Sequence, residues 1–188
     1  SRNTEKLNKK QVTSATVESV AEGIVDGLVS PIFYFAIFGV IGALIYRIIN
    51  TLDSIVGYKD SENINIGWFS AKLDTIANFL PSRMTAYLIV FTAWILHMDW
   101  KNSLKILRRD RSKTSSLNAG WPISAVAGAI QVQLEKPGVY TLGEEKNNLS
   151  PDHIYSALSI MKITTILFIL FYTIPAIFLV SHLAVFHI

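Results

Sequence analysis

The 188-residue sequence contains no cysteine, and only 16% of its residues are charged. The absence of cysteine excludes disulfides, thiolate metal sites and cysteine nucleophiles from these residues. Globular domains usually carry about 25% charged residues, so the deficit indicates contact with lipid rather than a large water-soluble core. A net charge of +3 is too small to indicate a nucleic-acid partner. These residues contain no P-loop, no GxGxxG motif and no HExxH motif, and we find no signal-peptide pattern among them.

What the sequence does contain is uncharged runs, which lie at residues 27–46, 84–98, 121–134 and 163–188. A helix that crosses the hydrocarbon core needs about 20 mostly apolar residues. The first and last runs reach this length, and the second spans only if it is tilted or extended. The third is too short to span, so we expect either a re-entrant or interfacial segment or a helix buried in protein. Pro31, Gly39 and Gly42 interrupt the first run, which is therefore either broken or closely packed against a neighbour. Pro175 predicts a kink in the last run.

These runs predict an all-α, multi-pass integral membrane protein with re-entrant or interfacial segments, located in the cell membrane. We expect residues 1–188 to form a single membrane domain, which is the C-terminal part of a longer protein. Residues 99–113 carry six basic side chains against two acidic ones, so this loop is predicted to be cytoplasmic. The basic loop is explained equally well as a topology signal alone or as a phosphate contact.

The predicted topology contains one conflict. If the first two runs both span, residues 50–83 lie on the opposite side of the membrane from the basic loop. Either one of these runs is re-entrant, for which the interruptions at Pro31, Gly39 and Gly42 favour the first, or the polar stretch folds back into the membrane domain.

Acidic residues precede the first run. Glu18, Glu22 and Asp26 are spaced i, i+4 and i+8, so they lie on one face if this stretch is helical. Like charges on one face repel, and a divalent cation or a cationic partner would relieve the repulsion. Oxygen-only ligands suit Mg²⁺. A solvated acidic face explains the same spacing equally well.

Further polar residues border the apolar runs. Asn50 and Asp53 lie one helical turn apart directly after the first run, and Asp74 and Asn78 again share a helix face. Capping and turn formation are the simpler roles for such residues. Polar side chains at the membrane nevertheless cost free energy and are usually functional, and there are more of them here than an anchor requires.

Several motifs in order resemble one known family. They are Val-Glu-Ser-Val-Ala-Glu (17–22), Val-Asp-Gly (25–27), Pro31, Tyr-Arg (46–47), Asn-Thr-Leu-Asp-Ser (50–54), Val-Gly-Tyr (56–58), Ala-Lys-Leu-Asp (71–74), Asn78, Pro81, Arg83 and Asn-Ala-Gly-Trp-Pro (118–122). Their order and spacing resemble the membrane-bound adenosylcobinamide-phosphate synthase family of cobalamin biosynthesis (CbiB-type). The resemblance covers roughly the first three-quarters of the chain.

The resemblance implies a ligase of a prokaryotic plasma membrane. Such an enzyme joins an aminopropanol phosphate, or a related amino alcohol, to a propionate of adenosylcobyric acid, with ATP and Mg²⁺. The implied partners are this corrinoid, the amino alcohol phosphate, the bilayer and other membrane proteins of cobalamin biosynthesis.

The resemblance also supplies candidate site residues. The candidates for catalysis are Glu18, Glu22, Asp26, Asp53 and Asp74, with the first three as metal ligands. The candidates for substrate binding are Asn50, Tyr58, Lys59, Lys72, Asn78, Arg83 and Asn118.

Departures from the family pattern keep a second function open. Gly23 stands where the family usually has Asn, and Thr75 stands where it has the second of two Asp residues. Leu117 replaces its Pro before Asn-Ala-Gly. These changes suggest, as the alternative, a non-catalytic membrane relative that acts as a sensor or binds a partner. A transporter is less consistent with the sequence, because the polar residues flank the runs and no inverted repeat is evident.

Overall fold

The computed structural model describes residues 7–56 and 64–185. Its elements are α1 (Lys9–Gly23), a π-helical segment (Ile24–Val29), α2 (Ser30–Val56), α3 (Ile64–Ala77), α4 (Phe79–Ile95), α5 (Trp100–Asp110), α6 (Gly120–Ala129), β1 (Gln133–Lys136), β2 (Tyr140–Gly143), α7 (Asp152–Phe168), a second π-helical segment (Ile169–Thr173) and α8 (Ile174–Val185). The predicted mainly helical fold is confirmed. The all-α class is corrected by the two strands.

The first apolar run is folded into a hairpin that reverses at Gly39, whose φ of 64° and ψ of −156° are not helical. The rings of Tyr34 and Tyr46 stack with their centroids 5.4 Å apart. The Tyr46 hydroxyl also lies 3.5 Å from the Asp26 carbonyl oxygen, 20 residues earlier in the chain. Twenty residues of straight helix would separate them by about 30 Å. We call residues 24–38 the first limb and residues 40–56 the second limb of this hairpin.

Gly42 lets the two limbs approach closely. A Cβ at this position would lie 2.7 Å from the Tyr34 carbonyl oxygen and 2.5 Å from the Phe38 Cβ. Both expectations for the first run therefore hold, because it is broken at Gly39 and closely packed at Gly42.

Two stretches are long and apolar enough to cross a membrane, the helices through residues 9–55 and through residues 152–182. The first is reversed at Gly39, so its reach in one direction is shorter than its residue count suggests. The fold is consistent with a membrane location. The number of membrane crossings stays a prediction.

Each π-helical segment ends two residues before a proline. The first ends at Val29, before Pro31, and the second at Thr173, before Pro175. Proline has no N–H, and its ring clashes with the carbonyl four residues earlier, which a locally wider helical turn accommodates. The kink predicted at Pro175 takes this form, and the helix continues as α8.

The third apolar run is not a membrane segment. Its first part is α6, which is buried from Pro122 to Ala129, so the expectation of a helix buried in protein is the one that holds. Helix α5 packs against it, with the Asn102 side chain donating to the Gly128 carbonyl at 2.8 Å and the Ser103 hydroxyl donating to the Ala125 carbonyl at 2.7 Å. A Cβ on Gly128 would lie 2.7 Å from the Ser103 Cα, so this contact requires glycine.

The last two residues of the third run, Gln133 and Leu134, begin β1 of a β-hairpin that continues to Gly143. β1 and β2 are antiparallel, and Leu134 pairs with Leu142, both fully buried. The Val139 N–H donates to the Lys136 carbonyl at 2.9 Å, and Gly138 between them has a φ of 72°. Each four-residue strand contributes only one buried apolar side chain. The alternation typical of strands is therefore too short to be distinguished in the sequence from the helical run that precedes it.

The predicted basic loop is a helix, α5. The Asp99 carboxylate caps it by accepting from the Asn102 N–H at 2.9 Å. Ile106 and Leu107 are fully buried, whereas the basic side chains of Lys101, Lys105 and Arg108 are exposed. The prediction of a loop was wrong because basic residues on one face conceal a helical apolar face on the other.

Candidate active site

A cavity of about 200 Å³ lies where the open end of the hairpin meets α3 and the start of α6. Its lining comes from segments far apart in the sequence: Glu22, Val25 and Asp26 before and within the first limb, Asp53 in the second limb, Asp74 and Asn78 at the end of α3, and Ser116, Asn118, Ala119 and Pro122 around the start of α6. Four carboxylates and two carboxamides thus surround one small space. Such a set favours a cation or a cationic group at its centre.

Asn78 fixes one wall of the cavity. This side chain is 1% exposed, and its amide donates to Asp74 Oδ1 at 3.0 Å. Its carbonyl oxygen accepts from the hydroxyls of Ser30 at 2.6 Å and Tyr46 at 2.9 Å. Asn50 donates to the same Asp74 oxygen at 3.2 Å. One buried amide therefore ties both limbs of the hairpin to α3.

Asn118 fixes the opposite wall. Its side-chain amide donates to the Thr75 carbonyl at 2.9 Å. Its carbonyl oxygen accepts from Arg83 at 3.0 Å. The Arg83 guanidinium is held in turn by the Phe79 carbonyl at 2.6 Å and lies 3.5 Å from the centre of the Phe79 ring. Arg83 does not line the cavity, so in this structure it positions Asn118.

The backbone of Asp26 anchors the second limb. Its carbonyl accepts from the Tyr46 hydroxyl at 3.5 Å and from Arg47 at 3.4 Å. Because these bonds involve only the backbone carbonyl, the Asp26 side chain can line the cavity. The π-helical segment that contains Asp26 thus presents a carboxylate to the cavity and a carbonyl to the other limb.

Glu18 does not reach the cavity. It is 2% exposed and accepts hydrogen bonds from the hydroxyls of Ser14 at 2.9 Å and Tyr140 at 2.6 Å. Glu18, Glu22 and Asp26 do follow one another along the helix, but α1 carries Glu18 to the β-hairpin. The expectation that all three share one metal site is therefore corrected, and Glu18 joins α1 to β2.

The remaining predicted residues fall in three groups. Asn50 contacts the cavity wall through Asp74 without being a lining residue. Lys72 is exposed on α3 and does not line the cavity. Tyr58 and Lys59 lie outside the described residues.

Sequence reasoning missed six contributors, of which Val25 and Ala119 are apolar residues of the lining. Ser30 and Tyr46 hold Asn78, and Ser116 and Pro122 line the cavity. Tyr46 and Pro122 belong to motifs that carry the family resemblance, which is the signal that would have found them. Ser30 lies inside an apolar run, where a hydroxyl has no distinguishing pattern.

The donor set of the cavity fits Mg²⁺ in chemistry. Within residues 7–56 and 64–185, no three acidic or histidine side chains are arranged as a preformed metal site. Mg²⁺ is commonly bound through one or two carboxylates, with substrate phosphates and water completing its shell. Glu22 and Asp26, both from the predicted metal set, line the cavity and suit that mode.

Comparison with known proteins gives a consistent family. The model of the family described as CobD/Cbib protein matches residues 1–170. A probable cobalamin biosynthesis protein CobD from Methanothermobacter thermautotrophicus is 49% identical over 170 residues, which are 90% of this chain and 57% of that protein. The cobalamin biosynthesis protein CobD from Dehalococcoides mccartyi is 42% identical over 162 residues, 86% of this chain and 52% of that protein.

A more distant relative extends the match to the last helix. The cobalamin biosynthesis protein CobD from Photorhabdus laumondii is 37% identical over an aligned length of 188 residues, which includes 96% of this chain and 59% of that protein. The chain thus spans somewhat more than half the length of these curated relatives. No solved structure matches the chain.

Proposed function

The chain belongs to the CobD/Cbib protein family of cobalamin biosynthesis, and from that premise we propose that its cavity is the active site of an ATP-dependent amide ligase. The substrates would be adenosylcobyric acid and an aminopropanol phosphate or related amino alcohol, and the product adenosylcobinamide phosphate. One observation carries the proposal: carboxylates from four separate motifs, Glu22, Asp26, Asp53 and Asp74, line a single cavity.

The proposed reaction activates a propionate before the amide bond forms. The propionate oxygen attacks the γ-phosphorus of ATP, and the bond to ADP breaks, which gives an acyl phosphate. The amine nitrogen then attacks the acyl carbon, the carbon–oxygen bond breaks, and phosphate leaves with the electron pair. One cavity carboxylate accepts the proton lost by the incoming ammonium.

The chain's own residues would serve this reaction by charge and by position. The carboxylates attract the ammonium of the amino alcohol and bring it to the acyl carbon. Asn78 and Asn118, both held by buried hydrogen bonds, offer fixed amide groups on opposite walls. Mg²⁺ held by Glu22 and Asp26 would neutralise charge on the transferred phosphoryl group.

Genetic complementation tests the proposal. The complete reading frame should restore growth on cobyric acid to a strain that lacks adenosylcobinamide-phosphate synthase. Glu22→Gln, Asp26→Asn and Asp53→Asn should each abolish growth while the protein remains in the membrane, because each removes a charge from the cavity. Glu145→Gln is the matched control, since Glu145 is a surface carboxylate paired with Lys10. Wild-type growth of all three cavity variants would exclude the cavity as the active site.

A second function, a non-catalytic sensor or partner-binding relative, is favoured by the environment of Thr75. Where the family has a second carboxylate, the Thr75 hydroxyl donates back to the Ala71 carbonyl of its own helix at 2.7 Å. At Gly23 an added Cβ would meet nothing within 4 Å, so the backbone there does not require glycine for lack of space. Failure of the wild-type frame to complement, with recovery in Gly23→Asn or Thr75→Asp, would favour this second function.

A further inference from the structure

The hairpin has an apolar tip. Phe38, Val40 and Ile41 flank the reversal at Gly39 and are 64%, 63% and 70% exposed. No acidic, lysine or arginine residue occurs from residue 27 to residue 46. A contiguous apolar surface of this kind requires an apolar partner.

The open end of the hairpin is polar by contrast. Asp26 and Asp53, one from each limb, line the cavity there, and Arg47 bonds to the Asp26 carbonyl. Charge thus begins where both limbs leave the apolar tip. A structure with one apolar end and one charged end matches the boundary between hydrocarbon and water.

The length of the limbs limits how deeply the hairpin can insert. The apolar part of the first limb, residues 28–38, is about 16 Å long at roughly 1.5 Å per residue. The hydrocarbon core of a bilayer is about 30 Å thick. The hairpin can therefore reach the middle of the bilayer but cannot cross it. The reversal takes a single residue, so the backbone groups that lose helical hydrogen bonds are confined to the turn on either side of Gly39.

A neighbouring helix continues the apolar surface. The Phe33 ring of the first limb stacks on the Tyr172 ring with centroids 5.0 Å apart. Beyond Tyr172, Phe178 and Leu179 of α8 are 72% and 58% exposed. The hairpin thus packs beside the stretch at residues 152–182 that is long enough to cross a membrane. A bilayer satisfies both exposed surfaces at once.

We propose that residues 24–56 form a re-entrant membrane element, which enters one leaflet and returns, so that both of its ends lie on the same side as α5. The loop after α5 supplies the other wall of the cavity, and the exposed lysines of α5 belong in water. The cavity therefore opens at the membrane face that carries α5, and the positive-inside tendency makes that face cytoplasmic. Only α4 separates residues 50–83 from the basic segment, and α4 packs against α5, α6 and α7. The proposed topology therefore has α4 on the same side as α5, without crossing the bilayer, which removes the conflict. It does not depend on the ligase proposal.

Single cysteines test the topology, because these 188 residues contain none. The experiment uses the complete protein in sealed membrane vesicles of both orientations, with any cysteine outside these residues replaced by serine. Ser19→Cys precedes the hairpin, Thr51→Cys lies in its second limb, and Ser112→Cys follows α5; all three positions are exposed. A bilayer-impermeant maleimide should label all three from the same face and none from the other. Labelling of Thr51→Cys from the face opposite Ser19→Cys would overturn the proposal.

A second measurement identifies what covers the tip. A bimane fluorophore on Ile41→Cys should be quenched by lipids brominated in their acyl chains. The matched control is Val139→Cys, which is also an exposed apolar position, at 56%, but lies in the turn of the β-hairpin and should not be quenched. An unquenched fluorophore at position 41 would mean that protein, such as a second copy or a segment present in the longer relatives, covers the tip, and would overturn insertion into lipid. Neither result would alter the outcome of complementation.

Discussion

At the scale of single residues, Asn78 connects more of the candidate site than any carboxylate does. Its carboxamide is both donor and acceptor, and each atom is used: the nitrogen bonds to Asp74, and the oxygen bonds to Ser30 and Tyr46. A carboxylate could not donate, and a hydroxyl could not span the same distance. The amide therefore sets the geometry of the cavity wall rather than contributing charge.

Replacing Asn78 tests this role. Asn78→Ala removes the acceptor of the buried Ser30 hydroxyl and the nearer of the two acceptors of the Tyr46 hydroxyl, so we expect a loss of about 1–3 kcal/mol in unfolding free energy. Denaturant unfolding in detergent measures the loss. Asn147→Ala is the control, because Asn147 is exposed and donates only to Gln131. Equal stability of the two variants would show that the Asn78 network contributes nothing.

Glu18 shows how residue type and spacing mislead at this scale. Its position on the same helical face as Glu22 is correct, yet its partners are Ser14 and Tyr140. Tyr140 is 122 residues away in the sequence. A periodic pattern identifies a face but not what lies opposite each point along it, so only packing distinguishes a structural carboxylate from a functional one.

At the scale of elements, the decisive feature is the reversal at Gly39. The backbone there lies in a region of φ and ψ that essentially only glycine occupies. Without the reversal, the first run would be one straight helix, and Asp26 and Asp53 would lie far apart. The cavity therefore exists only because one residue can turn the chain.

Substitution of Gly39 tests the turn. Gly39→Ala should destabilise the protein by about 1–3 kcal/mol through backbone strain alone, because an added Cβ meets nothing within 4 Å. The matched control is Gly23→Ala, where the added Cβ also meets nothing but the backbone is helical. The control should be neutral or stabilising by about 0.5–1 kcal/mol. Thermal unfolding of both variants measures the difference, and a neutral Gly39→Ala would contradict the strained reversal.

At the scale of the whole molecule, ion pairs lie away from the apolar hairpin. Arg109 binds Asp110 at 2.7 Å and Glu144 at 2.6 Å, and Lys105 binds Glu144 at 2.9 Å. Lys146 lies 3.8 Å from Asp99. These pairs join α5 to the segment after β2. The charged and apolar ends of the molecule are thus separated, as a protein at a membrane surface requires.

Asp110 predicts how the stability of the whole molecule depends on pH. Burial alone would raise the pKa of Asp110, but hydrogen bonds from Arg109, Lys113 and the Gly143 N–H lower it from 3.8 to about 2. A carboxyl group whose pKa is lower in the folded than in the unfolded protein contributes its full stabilisation at pH values above the pKa of the unfolded state. That contribution is lost as the pH falls from about 4 to about 2. We expect a loss on the order of 1–2 kcal/mol, because Arg109 and Lys113 are partly exposed.

Unfolding in detergent at a series of pH values measures this loss. Asp110→Asn removes the titrating group. Between about pH 4 and pH 2 the unfolding free energy of the variant should therefore fall less steeply than that of the wild type, and the difference in slope should correspond to at most about one bound proton. Asp152→Asn is the control, because Asp152 is exposed at the start of α7. A slope in Asp110→Asn equal to that of the wild type would contradict the role of this pair.

Much of the architecture could be predicted from the sequence, because it depends on local pattern. The apolar runs predicted helices and a membrane location, and Pro175 predicted a distorted last helix. The order of motifs predicted the family, which the comparisons confirm. Six of the predicted site residues, Glu22, Asp26, Asp53, Asp74, Asn78 and Asn118, line one cavity. The helical elements and the family share a cause, since each run or motif carries its signal within a few turns of chain, whereas the functional roles of the six residues stay predictions.

What the sequence by itself determined is therefore the helical class, the family and the set of polar residues worth considering. The tertiary structure alone decided which of them meet. The apolar run at residues 27–46 has the same composition whether the helix is straight or reversed, so only the conformation at Gly39 settles its direction. Likewise, the β-hairpin is stabilised by contacts with distant segments, which no local pattern records, whereas the apolar face of α5 is a local pattern that its basic residues conceal. Long-range packing brought Asp26, Asp53 and Asn118 to one cavity and carried Glu18 away from it.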